Sequence, residues 1–295
     1  MYSTPVIILI NMNYSIGTTY EGKDLAYLAK IAPYVDHIEV SPDSISTYSK
    51  GEIHVHPDIL SQLQWIKTET SVDILLHGVG LSIGSYDSWN NDYIRLLHEL
   101  FEAIPSIKWH SEHLAYTRVN GENIGTMLTL PRTDESIDLV SRRVDVIQRE
   151  FKKPFLLENV ASMLPDPGSK YSEALFLNRI AELTGCGLIL DVYNMECDTY
   201  NFNFQIEPFL EELNLDAVQE IHMACGAIDV EHNFKMDVHS RRLNQSTLDL
   251  TRKIIDRSPA NLQAITYEIL DEFISNIGDQ GIVHELMNLR KMSHS

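Results

Sequence analysis

Phe155-Leu156-Leu157-Glu158 and Leu188-Ile189-Leu190-Asp191 are two short apolar runs that each end in a carboxylate, and Glu173 to Thr184 between them spaces its apolar residues three and four apart. Runs this short, separated by a stretch of helical period, predict buried parallel strands joined by a crossover helix. Outward from this unit the pattern repeats in both directions. The predicted strands are Val6 to Ile10, His37 to Val40, Val72 to Leu76, Ile107 to His110, Phe155 to Leu157, Leu188 to Leu190, Val218 to Ile221 and Ala264 to Tyr267. Ser136 to Glu150 and Gln245 to Ile255 also carry helical spacing. No Pro/Gly/Ser linker interrupts the alternation. The expectation is an α/β fold, one TIM barrel over residues 1–295 with a short flexible C-terminal tail, and a doubly wound open sheet is the alternative.

A single barrel of this kind commonly fills about 250 residues, so 295 residues need no second domain. The 42 acidic against 23 basic residues leave a net charge of −19, a field that repels a phosphate backbone and argues against nucleic acid. Three cysteines, Cys186, Cys197 and Cys225, give no paired framework, which makes a reducing cytoplasm the expected compartment. The opening Met1 to Asn13 has no basic n-region, and no apolar run approaches the roughly 18 residues of a membrane span.

Strand after strand ends in a polar residue. Ile74-Leu75-Leu76 runs into His77, Phe155-Leu156-Leu157 into Glu158, Leu188-Ile189-Leu190 into Asp191, Ile221 into His222, and Ile265-Thr266-Tyr267 into Glu268. The fourth strand leads to Ser111-Glu112-His113, and Asp237-Val238-His239 follows the seventh. Taken singly, each is more simply a hydrogen-bonded core or loop residue. Barrel closure, however, brings all C-terminal strand ends to one rim. Carboxylates gathered there would repel one another and bind their protons tightly, unless divalent cations neutralised them and took the imidazoles as neutral ligands. Imidazoles and carboxylates with no converging thiolate pair exclude a zinc finger or iron–sulfur centre and suit Zn, Fe or Mn in a multinuclear cluster.

Other signals are weaker. Gly78 to Ser85 lacks the spacing and the Lys of a phosphate-binding loop and reads as a tight turn beside His77. Alternation sets His110 on the side of Glu112, opposite His113, as a packed or hydrogen-bonded histidine. His54 and His56 are expected in an exposed loop before a helix. Cys225 reads as a small buried residue, and Arg241-Arg242 as either carboxylate-binding or solvated. Four segments after strands, Gly78 to Ser88, Ala115 to Leu130, Ala161 to Tyr171 and Ala224 to Arg242, are expected to be irregular and to lie on the catalytic face, the last three as walls of the substrate path.

The run of motifs His77-Gly78-Val79-Gly80-Leu81-Ser82, Ser111-Glu112-His113-Leu114-Ala115, Leu157-Glu158-Asn159-Val160, Leu190-Asp191-Val192-Tyr193-Asn194 and Glu220-Ile221-His222-Met223-Ala224 resembles the multinuclear non-haem iron-dependent oxidases. The resemblance spans roughly residues 37 to 270. It implies a xylose-isomerase-like barrel, two or three iron ions, and O2-dependent oxidation of cysteines in ribosomally synthesised precursor peptides. It also implies a small partner protein that holds the peptide leader. By matching motif, the implied metal ligands are His77, His113, Glu158, Asp191, Asn194, His222, Asp237, His239 and Glu268, with Glu39, Ser111, Asn159 and Arg241 behind them or toward substrate. The layout is also similar to that of endonuclease IV, which has a histidine where Asn194 stands. A weak neutral oxygen donor there favours the oxidase over the nuclease, and the alternative is a zinc- or manganese-dependent endonuclease IV-like hydrolase or sugar isomerase on the same barrel.

Overall fold

The computed structural model describes residues 14–49, 51–166, 168–257 and 259–292. Eight parallel strands close into a barrel: β1 (Ser15–Thr19), β2 (His37–Val40), β3 (Asp73–Gly78), β4 (His110–His113), β5 (Phe155–Glu158), β6 (Gly187–Asp191), β7 (Val218–Met223) and β8 (Ala264–Tyr267). Each pairs with its neighbours in the sequence, and β1 closes the ring between β8 and β2.

Helices wrap the outside for reasons local to the sequence. In Asp134–Phe151, Thr133 caps the backbone N–H of Ser136, Asp134 and Glu135 sit in the first turn, and Ile137, Val140, Val144 and Ile147 form the buried stripe. Ser172 caps Glu173–Thr184, and Gly185, with φ of 68°, ends it in the left-handed region.

Strand alternation then separates two environments. Ile74, Leu76, Phe155, Leu157, Leu188 and Leu190 belong to the large core shared with the helices, whereas Leu75, Trp109, Leu156, Ile189 and Ala264 form a separate buried cluster. The second set is the apolar floor of the barrel interior. Two residues beyond its members stand His77, Ser111, Glu158, Asp191 and Thr266, so a period of two carries these side chains to the same interior, one layer nearer the strand ends.

Three expectations are corrected. The apolar run Val6 to Ile10 lies outside the described residues, and the barrel takes Ser15–Thr19 as its first strand. Small side chains are required there, because a β-carbon on Gly17 would stand 2.2 Å from the His37 ring. The fourth strand begins at His110, three residues later than expected. The segments after strands are also more ordered than predicted: Ala115–Val119 pairs with Glu122–Thr129, Ala227–Asp229 with Phe234–Met236, and Ser46–Ser49 with Glu52–Val55, which places His54 in a strand. No helix among the described residues is long and apolar enough to cross a membrane.

Candidate metal centre

Glu158, at the end of β5, is the middle of a buried polar cup. Its Oε2 lies 2.8 Å from Nε2 of His77 and 3.3 Å from Nε2 of His113, while its Oε1 lies 3.3 Å from Nδ1 of His222. His222 Nδ1 also lies 3.3 Å from Glu268 Oε1, and the other Glu268 oxygen is 3.7 Å from His239 Nε2. Asp237 Oδ1 is 2.8 Å from the same His239 nitrogen. Ligand atoms of His77, His113 and Glu158 all fall within 4.8 Å of one another, as do those of Glu158, Asp191, His222 and Glu268. Glu39, His77 and His222 form a third such group.

The groups behind these side chains aim them. Ser111 gives its hydroxyl proton to Leu76 O at 3.0 Å, so at 2.9 Å from His77 Nδ1 it can only accept, which leaves His77 Nε2 unprotonated toward the cup. Gly78 O accepts from His113 Nδ1 at 2.9 Å and selects the same tautomer. Asn159 exchanges two hydrogen bonds with the Asp191 backbone, and Asp191 Oδ1 caps the Asn194 N–H at 2.6 Å, leaving Asp191 Oδ2 free. The Asn194 amide nitrogen donates to Asn159 O at 3.1 Å, so its oxygen turns into the cup. Glu39 accepts from His222 Nε2 at 3.3 Å. His239 holds its side chain in place from a left-handed backbone with φ of 41°, a conformation that a β-carbon disfavours and that functional loops retain. The Arg241 side chain is exposed, and its carbonyl accepts from Tyr267 OH, while Arg242 pairs with Glu285.

Whether this arrangement suits metal ions is tested by its unmet hydrogen bonds. Fourteen buried side-chain N and O atoms lack a hydrogen-bond partner among the described residues, and nine line this cup: Glu39 Oε1, His77 Nε2, Glu158 Oε2, Asp191 Oδ2, Asn194 Oδ1, His222 Nδ1, Asp237 Oδ1, His239 Nε2 and Glu268 Oε2. Several stand close to an opposite partner yet out of hydrogen-bond alignment, as atoms do when they point at a common third body. Buried polar groups are almost always paired, so such a concentration calls for an occupant, and the donor set fits cations.

The electrostatics agree. Burial raises Asp191 well above the ordinary carboxylate range, with Glu268 adding to it, and burial lifts Glu39 to about 8. Burial also opposes charge on Glu158 and Glu268, but the surrounding imidazoles outweigh it and hold both carboxyls low. The tight proton binding expected of uncompensated carboxylates is thus found at Asp191 and Glu39, whereas Glu158 and Glu268 are compensated by the imidazoles. His222 and His239 are drawn well above their usual range despite burial, chiefly by Glu268 and Asp237 respectively. The cup therefore demands positive charge, which protons or cations can supply.

His110 faces the other way, toward the helix Asn91–Ala103, 3.3 Å from Glu112 Oε1 and 3.5 Å from Tyr93 OH. Sequence reasoning missed Glu220, His37 and Thr266, all fully buried beneath the cup. Their signal was the two-residue spacing to His222, Glu39 and Glu268. Above the cup opens a cavity of about 150 Å3, lined in part by Thr19, Glu39, His77, His113, His239 and Glu268.

The fold and this site define a xylose-isomerase-like TIM barrel with a cup suited to metal ions at the strand ends. At 10% identity and a TM-score of 0.62, a xylose isomerase domain-containing protein from Salmonella typhimurium aligns over 96% of this chain and all of its own. D-psicose 3-epimerase from Clostridium cellulolyticum shares the fold at 11% identity and a TM-score of 0.59, over 95% and 99% of the two chains. The chain belongs to the MbnB/TglH/ChrH family of RiPP precursor modification enzymes, which it matches over residues 15–273. Relatives include a UPF0276 protein of Caulobacter vibrioides, 30% identical over 199 residues and 68% of each chain, and one of Vibrio vulnificus, 27% identical over 240 residues, 80% of this chain and 82% of its own.

Proposed function

We propose that this protein is a multinuclear iron-dependent oxidase that uses O2 to modify cysteine in a ribosomally synthesised precursor peptide. The observation that carries the reading is the position of Glu158, whose two oxygens face different imidazole groups, Oε2 toward His77 and His113 and Oε1 toward His222. One carboxylate so placed could join two ion positions. His77, His113 and Glu158 would hold one ion; Glu158, Asp191, His222 and Glu268 a second; Asp237, His239 and Glu268, with the Asn194 oxygen, a third. Iron in these positions would supply the electrons for O2 chemistry that zinc cannot.

The residues do the rest. Ser111 and Gly78 O hold two imidazoles in the ligating tautomer, and Asn159 fixes Asp191 and Asn194. A mouth of about 150 Å3 lies below the roughly 300 Å3 at which pockets for whole small molecules begin, and it suits one side chain of a peptide that stays largely outside. That supports cysteine over a free sugar. The net charge of −19 argues against the nuclease alternative. Leader recognition is assigned to a small partner protein, in a cytoplasmic setting.

The test is anaerobic loading with Fe2+, followed by O2 and a cysteine-containing precursor peptide, with and without the partner. The expected result is O2 consumption that depends on peptide and is lost in the zinc-loaded enzyme. Full activity with zinc would overturn the oxidase and favour a hydrolase or isomerase on this barrel.

A further inference from the structure

His222 differs from His77 and His113 in what its outer nitrogen meets. The outer nitrogens of His77 and His113 face a hydroxyl and a carbonyl, whereas His222 Nε2 lies 3.3 Å from Glu39 Oε2 and 3.5 Å from Glu220 Oε1. Glu220 is fully buried and points up from β7 between the apolar floor and the cup. Its Oε2 accepts from Trp109 Nε1 at 3.0 Å, and its Oε1 accepts from the Thr266 hydroxyl at 2.5 Å.

That hydroxyl has one proton, already given to Glu220. At 2.8 Å, His37 Nε2 must therefore donate to Thr266, which leaves His37 Nδ1 to accept from Ser15 Oγ at 2.7 Å. Every donor in this row points toward Glu220. The row exists only because Gly17 has no β-carbon to collide with the His37 ring. A buried carboxylate is costly to desolvate, and an apolar side chain would serve the barrel floor better if stability were the only demand.

We propose that Glu220, beside Glu39, which accepts from the same nitrogen, is a positioning residue for the ion that His222 would hold, the two carboxylates keeping the imidazole proton on Nε2 and its Nδ1 lone pair turned toward Glu158, Asp191 and Glu268. The row from Ser15 through His37 and Thr266, with Trp109 opposite, fixes the carboxylate in place. The proposal rests on the metal-centre reading.

The experiment uses metal-stripped full chain, with Fe2+ alone added under anaerobic conditions. Ions per chain and their affinities are read by competition with a chromophoric chelator, and the Tm of the metal-free protein is recorded. Glu220→Gln keeps the shape and removes the charge; its oxygen still accepts from Trp109, and its amide donates to Thr266 once the Thr266–His37–Ser15 row reverses direction. It is expected to weaken one ion by roughly 10–100-fold, to spare the ion of His77 and His113, and to leave the metal-free Tm unchanged or raised. Thr266→Val and Trp109→Phe should weaken the same ion by smaller factors. Wild-type affinities in Glu220→Gln would overturn the proposal, as would uniform loss of every ion together with a fallen Tm, the mark of a structural role. If Glu220→Gln does not fold, wild-type affinities in both other variants overturn it. A wild-type protein that takes up no ion sinks the metal centre itself.

Discussion

Glu158 reaches His77 with one carboxylate oxygen, at 2.8 Å, while its other oxygen lies 3.3 Å from an imidazole on the opposite side of the cup. If this carboxylate joins two ion positions, as proposed, removing it should empty both. Glu158→Ala is expected to lose more than one ion per chain, whereas Glu150→Ala, at an exposed helical position, loses none. Asp191→Ala should fall between them. Elemental analysis of proteins purified without chelator decides it, and equal metal content in all three would end the shared-centre account.

Ser111 offers a gentler probe, since its hydroxyl touches His77 only through Nδ1. With Ser111→Ala the ring is free to move its proton to Nε2 and to turn. Metal affinity should fall roughly 10–100-fold while the fold persists. Chelator competition measures the fall, and unchanged affinity would show that the tautomer is set elsewhere.

Much of this was legible in the sequence, and the reason is periodicity. Leu75 and His77, Leu156 and Glu158, Ile189 and Asp191 are pairs two residues apart on one strand, so an apolar run ending in a polar residue states which side that residue faces. The eight-unit repeat announced the barrel for the same reason. Ser15–Thr19 was not legible because its neighbour His37 crosses the interior and demands small residues, which erases the apolar signature of a strand. Glu220 was passed over because it precedes a more conspicuous histidine, and its partners Trp109 and Thr266, with His37 behind Thr266, come from distant parts of the chain. The hairpin Ala115–Val119 with Glu122–Thr129 hides behind mixed polarity, since much of it faces solvent and need not alternate.

Gly78 sits where a strand, a histidine of the cup and a helix converge. A β-carbon there would lie 1.9 Å from Tyr93 OH and 3.1 Å from Glu112 Oε1. Gly78→Ala should destabilise the protein by about 1–3 kcal/mol through overpacking, and should loosen His113, which leans on the Gly78 carbonyl. Adding Tyr93→Phe removes the nearest atom and should restore part of the loss. Urea unfolding of the single and double variants checks this, and simple additivity of the two effects would contradict it.

Asp43 accepts from the Gly80 N–H at 3.0 Å, and burial, with the Glu112 charge next, raises its carboxyl from 3.8 to about 6. A group that binds its proton more tightly when folded contributes stability that is present below about 3.8 and lost as pH rises through about 6. Asp43→Asn keeps an oxygen for Gly80 and never ionises. The variant should therefore gain on the wild type as pH rises from 4 to 7, by at most about 3 kcal/mol. Urea unfolding of metal-free protein across that range measures the gap, and a gap that does not change with pH would refute the assignment.

The hairpin Ala115–Val119 with Glu122–Thr129 is tied down along its first strand. Thr117 N–H donates to Ser82 Oγ, Gly84 N–H to Ala115 O, and Ser85 Oγ to Arg118 O, all between 2.7 and 2.8 Å. Between this hairpin and the helix Asp134–Phe151 lies a groove of about 650 Å3, lined by Tyr86, Tyr116, Leu130, Leu139, Arg118 and Arg142 among others. If a peptide places its cysteine in the small mouth, as proposed, this groove is a candidate path for the rest of its chain. Replacing residues 120–127 with a two-residue turn should weaken precursor binding about tenfold, close to 1.4 kcal/mol, and raise KM more than it lowers kcat, because the cup is untouched. Affinity is measured for precursor with and without the leader-binding partner. If the shortened enzyme binds and oxidises the peptide as the wild type does, the hairpin is not a wall of the substrate path. If the isolated enzyme holds the leader tightly by itself, the partner has no recognition task left to perform.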